Sequence, residues 1–527
     1  MSRSFKWCLL AAVLLGAGLR CARLDFRPLH TDESVNAIKF RQLWEGGVYR
    51  YDPVEHHGPT LAYATLAWQK LTLAPDFALW SDTRLRSLMV LFGVGLILLP
   101  LLVSDGLGRN GALGAAFLTA VSPVMVYYSR DYIHEMLLVF FTFVALAAGW
   151  RYVRERKPRW IVLAGACVGL MQGTKETFVF NLEAAAAAWL LTRFSMRGAA
   201  AVKTTKAAPG VKWWHLAAGA TAWLAVALPL FSSFFSNPDG PLDALRTYEY
   251  WIKNAGGGSP HVHGWSFYWL RLLFFHVQGG PVWSEALILA LAAGAGIAAF
   301  GRRGLAGANT AFARFLVFYT AILAAIYTAL PYKTPWCALG FWHGAILLGG
   351  VGAAALVSGL KRPRLRIAAG IVLLIGTGQL AIQAWQAGVE YGADPRNPWC
   401  YAQTSPDILN LVGKVRALAE VSPQGGGMRI NVMAPEDDYW PLPWYLRRYG
   451  ASGWWDEVPA DPRVPVDPYA PVVIVSPKLE AGLDASKAGV GPMFFELRPG
   501  TFLELYVQTN LWSAYLQHQA QSLTHDP

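Results

Sequence analysis

Acidic and basic side chains recur in this chain as short groups beside long apolar runs, and those groups are where chemistry can be sought. Asp32 and Glu33 stand side by side in HTDES, with His30 just before them, a few residues beyond the apolar run 5–24. Neighbouring residues on a strand or turn point apart, so the two carboxylates do not make a paired acid. One can face a substrate while the other orients it or meets a basic neighbour. The pair also suits a helix start, because Asp32 precedes VNAIKFRQLWEGG and an aspartate there caps free amides. The loop continues through Tyr49, Arg50, Tyr51 and Asp52 to Glu55, His56 and His57. These could ligate a metal, but consecutive residues seldom share one ion without ligands from elsewhere, and a network that fastens the loop is the other reading.

Two short turns carry similar chemistry. SRDYIHE holds Arg130, Asp131, His134 and Glu135, and GTKE holds Lys175 and Glu176. At helical spacing Asp131 and Glu135 share a face, where they could jointly contact a divalent cation or a sugar. A salt bridge from Arg130 or Lys175 to these acids is the structural alternative. Arg271 and Lys333, the latter in PYKTPW, are basic residues at helix ends. Such groups either snorkel to lipid phosphate or hold a bound phosphate, whose negative charge Arg and Lys stabilise. His261 and His263 in PHVHG are a further candidate pair of ligands or simple loop residues.

The elements that must position these groups are membrane helices. Of 527 residues, 54% are hydrophobic and 13% aromatic, while 15% are charged, against roughly 25% in soluble proteins. Mean hydropathy is +0.31. The formal net charge of +11 does not point to nucleic acid, because Lys and Arg punctuate apolar runs instead of forming a stripe. Runs long enough to cross a hydrocarbon core of ~30 Å predict about eleven spans. They lie near 5–24, 86–104, 111–128, 134–151, 159–173, 178–194, 213–235, 281–300, 311–330, 336–358 and 366–386. The first carries Arg3 and Lys6 before its apolar run and lacks a small-x-small cleavage site, so it is read as an uncleaved helix.

Orientation follows from the basic clusters. With the amino terminus cytoplasmic, RYVRERKPR, the segment from Arg193 to Lys212, GRRG with Arg302 and Arg303, and KRPRLR all fall inside. The loops at about 25–85, 129–135, 173–177, 236–280 and 331–336 then lie outside, as does the chain from 387 to 527. That last part changes character. PDILNLVGKVRALAEV reads as a helix and MRINVMA and PVVIVS as strands, which predicts a small extracytoplasmic α/β domain after a transmembrane domain of residues 1–386. No internal repeat of the transporter kind is evident. The five cysteines show no paired zinc-ligand spacing, and Cys337 and Cys400, both in a Pro-Trp-Cys context on the outer side, leave a disulfide open.

At these residues a resemblance emerges. An acidic DE pair in the first external loop, an arginine with acids in the second, and many helices followed by an external domain resemble the GT-C glycosyltransferases. The branch is that of the protein O-mannosyltransferases and lipid A aminoarabinose transferases. HTDESVNAIKF, YRYDPVEHHGPTLAY, SRDYIHEMLL, GTKETF, YKTPWC, YAQTSPDI and YWPLPWYLRRY are most similar to a prokaryotic subfamily labelled flippase activity-associated proteins.

The resemblance implies an integral cytoplasmic-membrane enzyme that moves a sugar from a polyprenyl-phosphate donor to an extracytoplasmic acceptor. Asp32 matches the family's base or sugar-binding carboxylate, Glu33 its neighbour, and Arg130 a loop arginine near the donor phosphate. Asp131, Glu135, Lys175, Glu176, Arg271, Lys333, His56 and His57 are expected to serve substrate binding, with Asp131 and Glu135 as candidate ligands should a divalent cation take part. The subfamily label keeps in view a lipid-linked-sugar carrier or flippase component that does no chemistry, and a third reading is an envelope assembly scaffold with the terminal domain as its docking module. Acids clustered with cations at two external loops favour the enzyme.

Overall fold

The computed structural model describes residues 2–54, 56–197, 211–254, 261–301, 304–457, 470–482 and 490–525. Glu55 and the Arg302–Arg303 pair lie outside the described residues. The chain forms two compact units. The first comprises Met1–Leu24, Gln42–Leu73 and Thr83–Tyr401, and the second Asp25–Arg41, Ala74–Asp82 and Ala402–Pro527. The sequence suggested a boundary at 386; in the structure the second unit begins at Ala402 and takes in two stretches of the long first loop.

The first unit is a bundle of apolar helices. Among the described residues, seven are long and apolar enough to cross a membrane: Arg3–Cys21, Asp82–Leu107, Glu135–Glu155, Trp213–Phe231, Thr310–Ala329, Pro335–Gly359 and Pro363–Glu390. The other expected spans are also helical. They are Pro158–Gln172, Phe178–Arg197, Ala286–Phe300, and a segment divided by Pro123 into Arg109–Val121 and Pro123–Tyr128. Proline cannot donate its amide to the preceding turn, so the helix breaks there and restarts with Pro123 in the first turn.

Apolar helices gain no hydrophobic energy against one another in lipid, so close backbone packing must hold them. Glycine makes this possible at two crossings. A Cβ on Gly165 would stand 2.0 Å from the Gly219 carbonyl oxygen, and one on Gly350 would stand 2.3 Å from the Ala115 nitrogen.

The connections gather at two ends. At one, Asp105 meets Arg151 at 3.7 Å and Arg154 at 3.6 Å. Glu155 pairs with Lys157 and Arg159, and Arg314 donates to the Ser195 carbonyl at 2.7 Å. These are connections that the basic clusters place on a single side. His56, His57, Arg130, Asp131, Glu135, Lys175, Glu176, Arg271 and Lys333 lie in or beside the remaining connections of this unit.

The second unit carries a five-stranded sheet in the order β2-β1-β3-β5-β4, with β1 Ile430–Met433, β2 Ser452–Trp455, β3 Val472–Val475, β4 Val490–Arg498 and β5 Thr501–Val507. β1 runs parallel to both β2 and β3, whereas β5 is antiparallel to β3 and β4. Alternate side chains leave opposite faces of a strand. Ile430, Val432, Ile474 and Leu505 therefore pack with Ile408, Leu411 and Val415 of the helix Asp407–Val421. Met433, Val473, Val475 and Tyr506 form a cluster on the other face. The expected helix, β1 and β3 are present; β4 and β5 add an antiparallel ribbon.

Candidate functional site

The acidic pair sits at the start of the helix Thr31–Gly46, and its two members have different surroundings. Glu33 is fully buried, and its carboxylate accepts the His30 amide hydrogen at 2.9 Å. This is the back-reaching half of a capping box, an acid at the third helical position satisfying an amide that the helix leaves open. Asp32 is the second helical residue, and its side chain is 48% exposed, with His30 Nδ1 3.8 Å away. The helix cap that sequence reasoning considered for Asp32 is thus supplied by Glu33. The segment is fastened within its own unit: Leu29 N–H donates to Tyr445 Oη at 2.8 Å, Thr404 donates to the Leu29 carbonyl at 2.7 Å, and Ser34 Oγ donates to the Pro441 carbonyl at 3.3 Å.

In the bundle unit, loops far apart in sequence converge. Lys175 and Glu135 form a buried ion pair beside a cavity of about 20 Å³ lined also by Asn181, Tyr327, Trp336 and Cys337. Burial alone pulls the Lys175 ammonium down, but Glu135 more than reverses this and holds it above the ordinary lysine range. The next residue, Glu176, bonds His57 Nδ1 at 2.9 Å. Burial pushes the Glu176 carboxyl up, and His57 more than offsets that, leaving it below the usual carboxylate range. The His57 ring lies parallel to Trp251 at 6.0 Å and edge-on to His134 at 5.1 Å. Burial, with His57 and Lys175 adding to it, pulls His134 well below the ordinary histidine value.

A row of rings carries this cluster onward. Trp251 contacts Tyr332 at 6.3 Å and Tyr332 contacts His261 at 5.1 Å. Tyr401 Oη bonds both His261 Nδ1 at 2.8 Å and His263 Nε2 at 2.9 Å. His263 stacks on Phe267 at 4.2 Å, and the Arg271 guanidinium lies 3.7 Å above the same ring. Arg271 donates through Nε to the Pro398 carbonyl and through Nη1 to that of Phe267, which leaves Nη2 open among the described residues. Lys333 is buried, and its ammonium donates to the carbonyls of His263 and Leu330. Burial lowers both cations from their ordinary values.

Two expectations change. Asp131 and Glu135 do not share a helical face, because the helix begins at Glu135 and residues 131–134 form an irregular turn. Arg130 is buried and donates to the carbonyls of Leu19, Arg20, Ala22, Arg23 and Gly388. Most of these belong to the C-terminal end of the first helix, where unsatisfied carbonyls and the negative end of the helix dipole favour a cation. The geometry therefore gives Arg130 the work of fastening that helix. His56 donates its amide to the Asp52 carbonyl at 3.3 Å within the same loop. Cys337 and Cys400 are free thiols. Among the described residues, no group of three or more His, Cys, Asp or Glu is arranged to hold a metal ion. Sequence reasoning missed Trp251, Tyr332 and Tyr401 as partners of the histidines, although Tyr332 and Tyr401 stand in YKTPWC and YAQTSPDI, two of the segments that carried the resemblance, and Trp251 in the region that also holds His261 and His263.

Residues 81–232 match the sequence model of a family described as dolichyl-phosphate-mannose-protein mannosyltransferase. By sequence, no curated protein matches the chain. By structure, the chain is similar to ArnT from Cupriavidus metallidurans in its apo state, at 14% identity and a TM-score of 0.63, covering 97% of this chain and 99% of that one. The same protein bound to undecaprenyl phosphate gives 15% identity and a TM-score of 0.59 over 97% and 99%. The archaeal oligosaccharyltransferase AglB from Archaeoglobus fulgidus, in complex with an inhibitory peptide and a dolichol-phosphate, matches at 13% identity and a TM-score of 0.54, covering 86% of this chain and 64% of that one. The helix bundle and the added sheet agree with these likenesses: this integral membrane protein has the fold of ArnT and AglB, in line with the resemblance that the motifs carried.

Proposed function

We propose that the protein transfers a sugar from a polyprenyl-phosphate donor to an acceptor on the extracytoplasmic side of the membrane. The observation that carries this reading is the convergence, at one end of a GT-C bundle, of loops 52–58, 129–135, 173–177, 261–275 and 331–336 with their ion pairs, histidines and aromatic rings. Similar structures hold undecaprenyl phosphate or dolichol-phosphate, which supports a lipid-linked phosphate as the donor. The alternation of basic connections supports an inner amino terminus and an outer C-terminal unit.

In this reading Asp32, half-exposed and free of the capping duty that occupies Glu33, takes the proton from an acceptor hydroxyl or amine. The acceptor atom bonds to the anomeric carbon, the bond from that carbon to the phosphate oxygen breaks, and its electron pair leaves with polyprenyl phosphate. Single displacement inverts the anomeric centre. For a donor phosphate the bundle unit itself offers two cations, Arg271, with Nη2 open, and Lys333, whose charge suits a phosphate group. A fixed cation helps most where water is scarce, because the local dielectric is low.

The test is purified protein in lipid nanodiscs given polyprenyl-phosphate sugars with a labelled sugar. Release of polyprenyl phosphate with transfer of label is expected. Tight donor binding with no turnover of any donor would replace the enzyme with a carrier.

A further inference from the structure

The second unit presents an unassigned surface at the C-terminal edge of its parallel strands. From β1 the chain goes first to β2 on one side and then to β3 on the other. Open α/β sheets bind ligands where the chain leaves a strand for opposite neighbours, because the diverging loops leave a crevice there. Here residues 434–440 follow β1, Asp456 follows β2, and Ser476 to Lys478 follow β3.

The side chains at this edge divide into supports and open groups. Asp438 is held by Lys478 at 3.3 Å and by Arg498, which ties together the ends of the loops after β1, β3 and β4. Glu436 and Asp437 are exposed. Tyr439, whose hydroxyl donates to Asp437 at 2.6 Å, lies 5.1 Å from Trp454 and 6.0 Å from Trp440, ring centre to ring centre. Trp440 is only half-buried and, among the described residues, stands outside the sheet cluster that Tyr439 and Trp454 pack against. A tryptophan beyond the core beside two exposed carboxylates is more than the sheet needs to close its edge.

The same surface adjoins the helix that carries Asp32. Pro441, the residue after Trp440, accepts the hydrogen bond from Ser34, which lies in the first turn of the helix that carries Asp32. We propose that Trp440, with Tyr439 and Trp454 behind it and Glu436 and Asp437 beside it, forms a subsite that holds a carbohydrate acceptor beside the helix that carries Asp32. This rests on the transferase reading above. A sugar ring has an apolar face of C–H groups that an aromatic face covers, and a rim of hydroxyls that carboxylates, which only accept hydrogen bonds, can receive. A phosphate-bearing or anionic ligand would meet repulsion from Glu436 and Asp437 instead.

The experiment uses the full chain in nanodiscs on a printed array of neutral oligosaccharides, with a peptide array alongside. Wild type should bind at least one oligosaccharide. Trp440→Ala, and separately Glu436→Gln with Asp437→Asn, should weaken that binding by roughly tenfold or more, while Trp440→Phe, which keeps an aromatic face, should retain most of it. Thermal unfolding of each variant identifies any that fail to fold, and Trp440→Phe keeps the comparison open if Trp440→Ala is one of them. Wild-type binding that survives Trp440→Ala, an array on which no oligosaccharide binds, or capture of peptides in place of sugars would overturn the subsite. Donor consumption by wild type separates the two claims. None with any donor overturns the transferase reading, whereas donor consumption with no oligosaccharide bound overturns the subsite alone.

Discussion

Glu33 accepts the main-chain hydrogen of His30 at 2.9 Å from a fully buried position, and that bond gives two adjacent acids different work. Glu33 holds the helix start while Asp32, next to it, keeps an exposed carboxylate.

Glu33→Ala should therefore act on stability. Loss of a helix-start cap costs about 0.5–2 kcal/mol, and removal of a buried carboxylate from its partner lies at the upper end of that range. Thermal unfolding in detergent should show the drop, with residual transfer scaling with the folded fraction. Full stability with transfer abolished would mean that the two acids had been assigned the wrong way round.

Lys175 has Glu135 as its ion-pair partner, and both are buried. Removing one partner of such a pair leaves an uncompensated charge and costs about 3–5 kcal/mol, whereas replacing both with apolar groups of similar size is often near neutral. Glu135→Gln should thus be far less stable than Glu135→Leu combined with Lys175→Met. If the double variant is no more stable than Glu135→Gln, the pair is not what holds these helices together.

His134 sets a pH response. An unfolded histidine takes up a proton near pH 6.5, while burial, then His57 and Lys175, keep folded His134 neutral to well below that. Between the two values the unfolded chain binds more protons, so stability is complete above pH 6.5 and falls as pH drops through this window, by up to about 1.4 kcal/mol per unit. Glu176, held low by its partner, loses its contribution only at more acid pH. His134→Asn should flatten the slope of melting temperature against pH between 7 and 5; an unchanged slope would assign the response to another group.

Topology is open to a direct check. A reporter fused after Arg156 should read cytoplasmic and one fused after Pro527 extracytoplasmic, because the connections that carry Arg151 to Arg159 and Arg314 gather at the end of the bundle opposite His57 and Lys333. The same side for both would undo the outer placement of the site.

Most of the bundle could be read from the sequence because membrane spans are written locally, in length and hydropathy. Every expected span is helical, with a break before Pro123 in one and a 3₁₀ stretch at Leu99–Val103 in another. The site was legible as a set of loops but not as a set of partners. Nothing in GTKE and SRDYIHE says that Lys175 takes Glu135 while Glu176 takes His57. The expectation for Asp131 failed because it assumed helical spacing one turn too early. Arg130 answers to carbonyls more than a hundred residues away, which no local pattern encodes. The same holds for 25–41 and 74–82, fixed within the second unit by contacts such as Trp444 Nε1 to Asp82 at 2.7 Å. β4 and β5 escaped because their alternation is interrupted by bulges and a turn at Gly500.

The central claim is that this chain performs glycosyl transfer with the Asp32 carboxylate as its base. Sugar transfer from a polyprenyl-phosphate donor, compared between wild type and Asp32→Asn at matched thermal stability, tests it most directly. Removal of a general base costs roughly 10²–10⁴-fold in rate, and asparagine keeps the size of the side chain while losing its charge. The account predicts a loss in that range with donor binding retained. Turnover near that of wild type would contradict it.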